Sequence, residues 1–562
     1  MIWGSVNMKA ERISVKIPYR HKEIAKAAGF RWNPSTKEWR GYLSVMACVI
    51  LRDYVEPSMQ AKMDSFMQSF SKTVQIVSPI LDAAPMNHQN EVAGRAKAVR
   101  RFGIFHDMGT GKTLSTIMIM QDLWSEQAVS RIVVVCPLAV MIEWESQISR
   151  FASVPVKTVR IGGLTPKKRK EAIRLFTKKK DCLMVAIVNY ESLRKIENDL
   201  AMIRPEMAVF DESTRIKNRN AQQTKAAKKL SDQVEYAFAL TGTPISNNVT
   251  ELYSQLRCIS PSCVGNNYWA FAKRYAEFGG FEGRQVMGMQ NEKELKRILS
   301  HVSHTVRKED VLDLPPKTYV RHEAVMTGEQ LAAYAKAEKD FLIAIKAVRE
   351  SDTNESNHLI LIKNALVRMT FCQRIASGHV KEDLFKETVR FRNNAKADVL
   401  QAVVKDAGSA QIVVCARFRE DLKIIQEIIE PMRSVVPFHG GLSNERADSN
   451  LTAFKEEKAD ALVMQVQKGG YGLNLANAPI IVFWNNWFSY GVRDQAEARI
   501  HRKGQEKNCL FVDLVAKSSV DELILQAIRN KQDISEALFG ARNEKSYKIN
   551  SDDLDLWMAT EV

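Results

Sequence analysis

The chain has 562 residues, of which 45% are apolar and 26% charged, a composition typical of a folded protein with a sizeable core. This composition excludes a wholly disordered chain or a fibre, and the sequence holds no run of the roughly 18 apolar residues that a membrane helix needs. The formal net charge of +16 favours a polyanionic partner.

Two basic runs concentrate this charge. Residues 157–180 hold ten lysines and arginines against one acid, and residues 215–229 hold six and no acid. Such runs form either a nucleic-acid track or a solvated helix face. Composition alone does not separate a nucleic acid from a membrane surface.

Residues 1–62 are predicted to form a small basic α+β domain. Ile13–Ile17 alternates like a strand, His21–Gly29 has helical spacing, and Arg31–Trp39 is typical of a turn between two strands. Its first 60 residues carry ten basic residues against five acids. With exposed aromatic side chains, such a domain can contact a DNA backbone and stack on bases, although Trp39 is expected in its core.

Two α/β units follow this domain. Short apolar runs alternate with helical stretches, which indicates parallel sheets covered on both faces. The predicted strands are 101–105, 132–136, 183–188, 207–210 and 236–240, then 411–415, 434–437, 461–464, 480–483 and 510–515. The predicted segments are a linker (63–84), a first lobe with a helical insertion (85–310), a helical connector (311–400), a second lobe (401–535) and an acidic tail (536–562).

A phosphate-binding loop is predicted at His106-Asp-Met-Gly-Thr-Gly-Lys-Thr113, between an apolar strand and a helical run. Its glycines let backbone N–H groups approach phosphates at a helix N-terminus. The loop therefore predicts ATP binding and a magnesium ligand, although His106 replaces the usual first glycine. The nucleotide-binding residues are Gly109, Thr110, Gly111, Lys112, which reaches the β- and γ-phosphates, and Thr113, which ligates Mg²⁺.

A pair of carboxylates ends a second apolar strand, Met207–Phe210. Asp211 is placed to hold Mg²⁺, and Glu212 to orient and deprotonate the attacking water. The alternative is a solvated acid pair in a turn. Because ligands bind at the carboxyl ends of parallel strands, the nucleotide-site interpretation is favoured.

An arginine pair lies in the second α/β unit. Arg499 and Arg502 are three residues apart and are predicted to share one face of a helix. They are expected to stabilise charge on the transferring phosphoryl group when the two lobes close.

Together these motifs resemble those of superfamily 2 helicase-like ATPases, in the Swi/Snf-related branch of DNA translocases, over about residues 85–535. The resemblance implies two tandem RecA-like lobes, with ATP and Mg²⁺ as cofactors, and Gln89 as the adenine-recognising glutamine. Residues 1–62 resemble a HARP-type domain. Further segments that carry the family resemblance are Val134–Pro137 with Trp144, Arg215–Asn218, Leu240–Asn247, Val311–Lys317, Gly469–Leu475 and Gln495–Gln505.

The resemblance also implies residues that couple hydrolysis to movement on DNA. These residues are Thr241, Thr243, Gly470 and Gln495. Thr214 stands where the family usually has the histidine that relays between the ATP site and the Leu240–Asn247 motif, so this relay is expected to differ.

The predicted function is that of a DNA-dependent ATPase that moves along duplex or branched DNA without reading its sequence, in fork or junction remodelling. Two alternatives stay open. One is a helicase that separates strands, and the other is a nucleic-acid-binding scaffold clamped by ATP.

The expected location is the cytoplasm of a prokaryote or of a phage-infected cell, with a nuclear location left open. The start, Met1–Met8, lacks the pattern of a signal peptide, and eight scattered cysteines suit a reducing compartment. No membrane partner is expected. The acidic tail can serve as a docking peptide for a protein partner, although such tails are generally mobile.

Overall fold

The computed structural model describes residues 11–162, 164–178, 181–279, 285–349, 367–381, 388–466 and 473–539. The chain divides into two compact units, whose main segments are residues 1–278 with 288–311 and residues 312–533. The predicted coupling residue Gly470, the Met1–Met8 start and the tail beyond residue 539 lie outside the described residues.

A small N-terminal domain opens the first unit. Its antiparallel sheet has the order β1-β3-β2, where β1 is Arg12–Val15, β2 is Arg31–Asn33 and β3 is Glu38–Tyr42. Ile13, Val15 and Trp39 alternate into its core, which confirms the prediction for Trp39. Its helices are Lys22–Ala27, Val45–Leu51 and Pro57–Ser69, the last of which crosses the predicted boundary at residues 62 and 63.

A seven-stranded sheet, parallel throughout, forms the centre of the first unit. Its strand order is β12-β4-β9-β8-β5-β7-β6. The central strands are buried along their whole length, as expected of a parallel sheet covered on both faces. The strands are β4 Arg101–His106, β5 Arg131–Cys136, β6 Val156–Arg160, β7 Leu183–Asn189, β8 Met207–Asp211, β9 Tyr236–Leu240 and β12 Ser303–Val306.

Helices connect these strands. A buried ion pair joins the helices that precede and follow β4 in the chain, with Lys97 Nζ 2.5 Å from Asp122 Oδ2. The Asp122 carboxylate also accepts hydrogen bonds from the N–H groups of Val77 and Ser78. The helices are Asn87–Val99, Lys112–Ser125, Met141–Phe151, Pro166–Lys178, Glu197–Ile203, Gln222–Gln233, Glu251–Ile259, Pro261–Val264, Tyr268–Tyr275, Glu292–Val302 and Lys308–Val311. Two short strands, β10 Ala276–Gly279 and β11 Gln285–Met289, precede Glu292–Val302.

The second unit holds a six-stranded parallel sheet of order β13-β20-β19-β16-β18-β17. Its strands are β13 Lys317–Ala324, β16 Ile412–Ala416, β17 Val435–Phe438, β18 Ala461–Gln465, β19 Ile480–Phe483 and β20 Cys509–Ala516, and β14 His379–Lys381 pairs with β15 Thr388–Arg390 outside it. Its helices are Gly328–Arg349, Ala395–Asp406, Arg419–Ile429, Asn444–Lys455, Tyr490–Glu497 and Val520–Phe539.

The two sheets confirm the predicted fold class, an α/β protein with two tandem parallel-sheet lobes. The structure differs in the segment 311–400, which was predicted to be helical, because β13 joins the second sheet as its edge strand. All eight cysteines are free thiols. Within the described ranges, no helix combines the length and the apolar character needed to cross a membrane.

Candidate functional site

The phosphate-loop sequence connects β4 to the helix Lys112–Ser125, as predicted. Gly109 and Gly111 have φ angles of +87° and +86°, a left-handed conformation that favours glycine. Lys112 Nζ donates to the carbonyl oxygens of His106 at 2.7 Å and Asp107 at 3.1 Å. The loop thus folds around its own lysine at the N-terminus of a helix, the geometry that binds phosphate.

Gln89 braces this loop from the preceding helix. Its Nε2 donates to the carbonyl of Thr110 at 2.9 Å, and its Oε1 accepts from the N–H of Met86 at 2.9 Å. A Cβ atom added at Gly111 would overlap Gln89 Nε2. The structure therefore brings the predicted glutamine into direct contact with the phosphate loop.

His106 takes the place of the first loop glycine and is completely buried. Its Nε2 lies 2.9 Å from Nδ1 of His304 on the neighbouring strand β12, and His304 Nε2 lies 3.4 Å from Glu91 Oε1. Burial, with the nearby positive charges, lowers the pKa of His106 to about 2, so this imidazole is neutral at physiological pH.

The carboxylate pair lies at the end of β8, as predicted, and Asp211 is held on three sides. Trp144 Nε1 donates to its Oδ2 at 2.8 Å, the N–H of Glu212 donates to its Oδ1 at 2.9 Å, and the Tyr190 hydroxyl donates to its backbone carbonyl at 2.8 Å. Burial raises the pKa of Asp211, and the Trp144 hydrogen bond and the charge of Lys112 oppose this rise. Glu212 has a φ of +50°, a strained conformation typical of functional sites.

The sheet order brings the two halves of the site to the same edge. Strand β9 lies between β4 and β8, so the loop that follows β9 lies between the phosphate loop and the carboxylates. In this loop the N–H of Thr241 donates to Ile104 O at 3.2 Å, and Thr241 Oγ1 accepts from the N–H of Thr243 at 3.1 Å. Residues 241–247, which hold the predicted coupling residues Thr241 and Thr243, are termed the coupling loop. A Cβ added at Gly242 would lie 3.3 Å from Met108 N, which places this loop against the phosphate loop.

Two bridges of polar side chains tie the coupling loop to the segment after the carboxylates, and the first of them is buried. In the first, Gln255 Oε1 accepts from Ser213 Oγ at 2.8 Å, and Gln255 Nε2 donates to Pro244 O at 2.6 Å. In the second, Glu251 accepts from the N–H of Ser246 at 2.7 Å and pairs with Lys217 at 3.1 Å. Ser213, the residue before Thr214, is thus joined to the coupling loop through Gln255, and the expected change in the relay at Thr214 stays a prediction.

The residues present suit a nucleotide with Mg²⁺. Thr113 lies in the first turn of the helix after the phosphate loop, and Asp211 ends a strand at the same edge of the sheet. Hydroxyl and carboxylate oxygens are the donors that Mg²⁺ prefers. Lys112 is close enough to Asp211 for its charge to lower the pKa of that carboxyl. The donor set therefore fits the predicted cofactors.

The second unit contains the arginine pair, and here the predicted helix is wrong. The helix Tyr490–Glu497, which carries Gln495, ends before Arg499 and Arg502, and both arginines lie in the turns that follow it. After Glu497 the chain forms turns, in which the N–H groups of Ile500 and His501 both donate to Glu497 O, at 3.2 and 3.0 Å. Arg502 Nη1 donates to Leu473 O at 2.9 Å, and Leu475 N donates to Arg499 O at 3.1 Å, so the arginines contact the end of the Gly469–Leu475 motif.

Sequence reasoning missed the side chains that support the site. Tyr190, Gln255 and His304 contact it from 21 to 198 residues away along the chain. The sequence singled out Trp144 only by its place after Val134–Pro137, and nothing in the sequence indicated its hydrogen bond to Asp211.

Family models match three segments of the chain. Residues 88–377 match the SNF2-related domain, residues 395–504 match the helicase conserved C-terminal domain, and residues 12–52 match a domain of unknown function, DUF8626. The first match alone covers more than half of the chain. The HARP-type resemblance of the N-terminal domain stays a prediction.

Similar proteins include two curated relatives and one solved structure. The chain is 24% identical over 447 residues to an uncharacterized ATP-dependent helicase, MG018, of Mycoplasma genitalium, covering 78% of this chain and 40% of that protein. It is 24% identical over 497 residues to the DNA repair and recombination protein RDH54 of Saccharomyces cerevisiae, covering 80% and 50%. The Sulfolobus solfataricus SWI2/SNF2 ATPase core in complex with dsDNA is 23% identical, with 87% of this chain and 97% of that chain covered and a TM-score of 0.39.

The chain spans two fifths to one half of the length of these two curated relatives. The order of the motifs in the sequence agrees with the match of residues 88–377 to the SNF2-related domain. The chain therefore belongs to the SNF2-related family, and the predicted placement in the Swi/Snf branch of superfamily 2 is confirmed.

Proposed function

We propose that this protein hydrolyses ATP and uses the energy to move along duplex or branched DNA without reading its sequence. The observation that carries the proposal is the convergence of Lys112, Asp211 and Glu212 at one edge of the first sheet, joined by the coupling loop. The printed names of the relatives, an ATP-dependent helicase and a DNA repair and recombination protein, support the same conclusion.

Each residue of the site has a defined role in this proposal. Lys112 and the loop N–H groups, braced by Gln89, bind and orient the triphosphate. Thr113 and Asp211 would hold Mg²⁺, which would neutralise charge on the triphosphate. Glu212 orients the attacking water and takes its proton.

Arg499 and Arg502 are proposed to stabilise the charge that develops during phosphoryl transfer. Their planar guanidinium groups stay charged at every physiological pH. Arg502→Ala should therefore lower kcat by about 100-fold or more and change ATP affinity only a few-fold. Lys503→Ala removes the same charge from the next, exposed residue and serves as the control. An equal loss in kcat and in ATP affinity would assign Arg502 to binding instead.

The coupling loop is proposed to transmit the state of the nucleotide site to DNA. Thr241 and Thr243 lie in this loop, and Gln255 and Glu251 connect it to the segment that follows Glu212. Gly470 and Gln495 are proposed to act in the same coupling from the second unit. The basic runs at 157–180 and 215–229 are proposed to contact the DNA backbone, a contact that is independent of sequence.

The biological task proposed is remodelling of forks or junctions in repair, replication or recombination. The free thiols of the cysteines support a reducing compartment such as the cytoplasm. The test is phosphate release measured with single-stranded, duplex, forked and four-way DNA. The proposal expects turnover to rise with duplex or branched DNA. If none of these DNA substrates changes the rate of phosphate release, the proposal is wrong.

A further inference from the structure

A basic cleft lies between the N-terminal domain and the loop Val264–Asn267 of the same unit. Its volume is about 680 Å³, within the range of about 300–1,000 Å³ typical of ligand sites. One wall is the sheet β1-β3-β2, and the other is the loop before the helix Tyr268–Tyr275. The two walls are in contact near Gly29, where an added Cβ would lie 3.4 Å from Asn267 Cβ.

The alternation of the strands places three arginines on the cleft wall. Arg31 pairs with Arg40 across β2 and β3, and Arg12 pairs with Tyr42 across β1 and β3. Since every second residue of a strand points to the same face, these side chains share the face opposite to the buried Trp39. Arg12, Arg31, Arg40 and Tyr42 all line the cleft.

The pairing of Arg31 with Arg40 places two like charges directly opposite one another. Like charges directly opposite one another destabilise a sheet. None of the described lining residues is acidic. Among the described residues, no carboxylate forms an ion pair with Arg31 or Arg40, whereas Lys26 and Arg52 of the same domain have such partners. The arginines are therefore available to bind phosphates.

An aromatic side chain adjoins the arginines. Arg12 Nη2 donates to the Tyr42 hydroxyl at 3.3 Å, inside the cleft. The guanidinium of Arg12 also lies 5.2 Å from the centre of the Tyr42 ring. An aromatic group beside a basic groove is the combination that binds single-stranded nucleic acid.

We propose that this cleft binds a single strand of DNA, with its phosphates on Arg12, Arg31 and Arg40 and a base against Tyr42. The size of the cleft suits a few nucleotides of one strand. This binding site is separate from the nucleotide site in the first sheet, and it acts whether or not ATP is hydrolysed.

The experiment measures binding of a fluorescent 12-nucleotide single strand and of the matched duplex to the full chain by anisotropy, over a series of salt concentrations. Arg31→Ala with Arg40→Ala should weaken single-strand binding about 10-fold or more. The slope of log K against log salt should fall by about 1.4, because two phosphate contacts are lost. Tyr42→Leu should also weaken single-strand binding without changing this slope.

The control is Arg20→Ala with Lys26→Ala, which removes two exposed charges of the same domain that do not line the cleft. It should change single-strand binding less than 2-fold. An equal loss in the control and in the arginine variant would overturn the proposal, as would an unchanged affinity in the arginine variant. An equal loss for duplex and single strand would show that the cleft grips duplex backbone and would overturn the single-strand assignment.

A crosslinking experiment locates the bound DNA strand on the protein. An oligonucleotide with bromodeoxyuridine, crosslinked by light and mapped by mass spectrometry, should label Tyr42. Crosslinks confined to other segments would contradict the site. ATP turnover without DNA should be the same in the arginine variant, in the control variant and in the wild type. A chain that binds the strand at this cleft but hydrolyses no ATP would leave this inference standing while the proposed function fails.

Discussion

Replacing Gln255 by leucine should separate the nucleotide site from the coupling loop. Gln255 is completely buried, and its side chain makes three hydrogen bonds, with Ser213 Oγ at 2.8 Å, Pro244 O at 2.6 Å and Glu251 O at 3.2 Å. Leucine has a similar volume, so it fills the site but makes none of these bonds. The substitution therefore removes the bridge with little change in packing.

The magnitude follows from the partners left behind. The Ser213 hydroxyl and the Pro244 carbonyl would remain buried without their partner, at a cost of about 1–3 kcal/mol each. The free energy of unfolding should therefore fall by about 2–6 kcal/mol. Ser213→Ala alone should cost about 1–3 kcal/mol because it leaves Gln255 Oε1 unsatisfied. The loss of unfolding free energy in the double variant should be smaller than the sum of the two single losses by about 0.5–3 kcal/mol.

The assay combines urea unfolding with DNA-stimulated ATP turnover. Gln255→Leu should lower the DNA-stimulated part of turnover more than the turnover without DNA, because the bridge joins the carboxylate segment to the coupling loop. Gln222→Leu, at an exposed position, is the control and should stay within about 0.5 kcal/mol of the wild type. Strict additivity of the two substitutions, or an unchanged DNA stimulation, would refute this reasoning.

Two further predictions concern the phosphate loop. Gly111→Ala should lower ATP affinity by about 10-fold or more, since φ is +86° and the new Cβ would overlap Gln89 Nε2. Titration with a fluorescent ATP analogue measures this, and Gly408→Ala, with a φ of +57° and no atom within 4 Å of the new Cβ, should leave affinity unchanged. The second prediction concerns pH. Burial lowers the pKa of His106 to about 2 in the folded state, whereas its value in the unfolded state is about 6.5. Between these two values only the unfolded state binds the proton. The free energy of unfolding should therefore fall by up to about 1.4 kcal/mol per pH unit as the pH drops below 6.5. His106→Asn should reduce this slope in urea unfolding measured from pH 7 to 5, whereas substitution of the exposed His322 by Asn should leave it unchanged. Equal slopes in the wild type and both variants would contradict the assignment of this pH dependence to His106.

Much of the fold was predictable from local patterns. The buried strands β5, β7 and β8 are continuous apolar runs, and such runs identify central strands of a parallel sheet. The edge strand β13, with the sequence Lys-Thr-Tyr-Val-Arg-His-Glu-Ala, was missed because an edge position leaves charged side chains in solvent. Strand β6 was missed for the same reason, since none of its residues is fully buried.

The site was predictable only in its contiguous parts. Glycines, Lys112 and the Asp211–Glu212 pair are recognised because phosphate binding demands them at close spacing. The bridge through Gln255 was not predictable, because 42 residues separate it from Ser213 and only the strand order brings the two together. The end of the helix before Arg499 depends likewise on tertiary contacts, such as that of Arg502 with Leu473.

The most direct test of the account is phosphate release at saturating duplex DNA by the wild type and by Glu212→Gln. The account predicts that duplex DNA stimulates the wild type and that Glu212→Gln is slower by about 100- to 10,000-fold while it still binds ATP. The exposed Glu171→Gln, in the same unit, should behave like the wild type. Unchanged turnover in Glu212→Gln would contradict the assignment of the catalytic base and with it the proposed hydrolytic site.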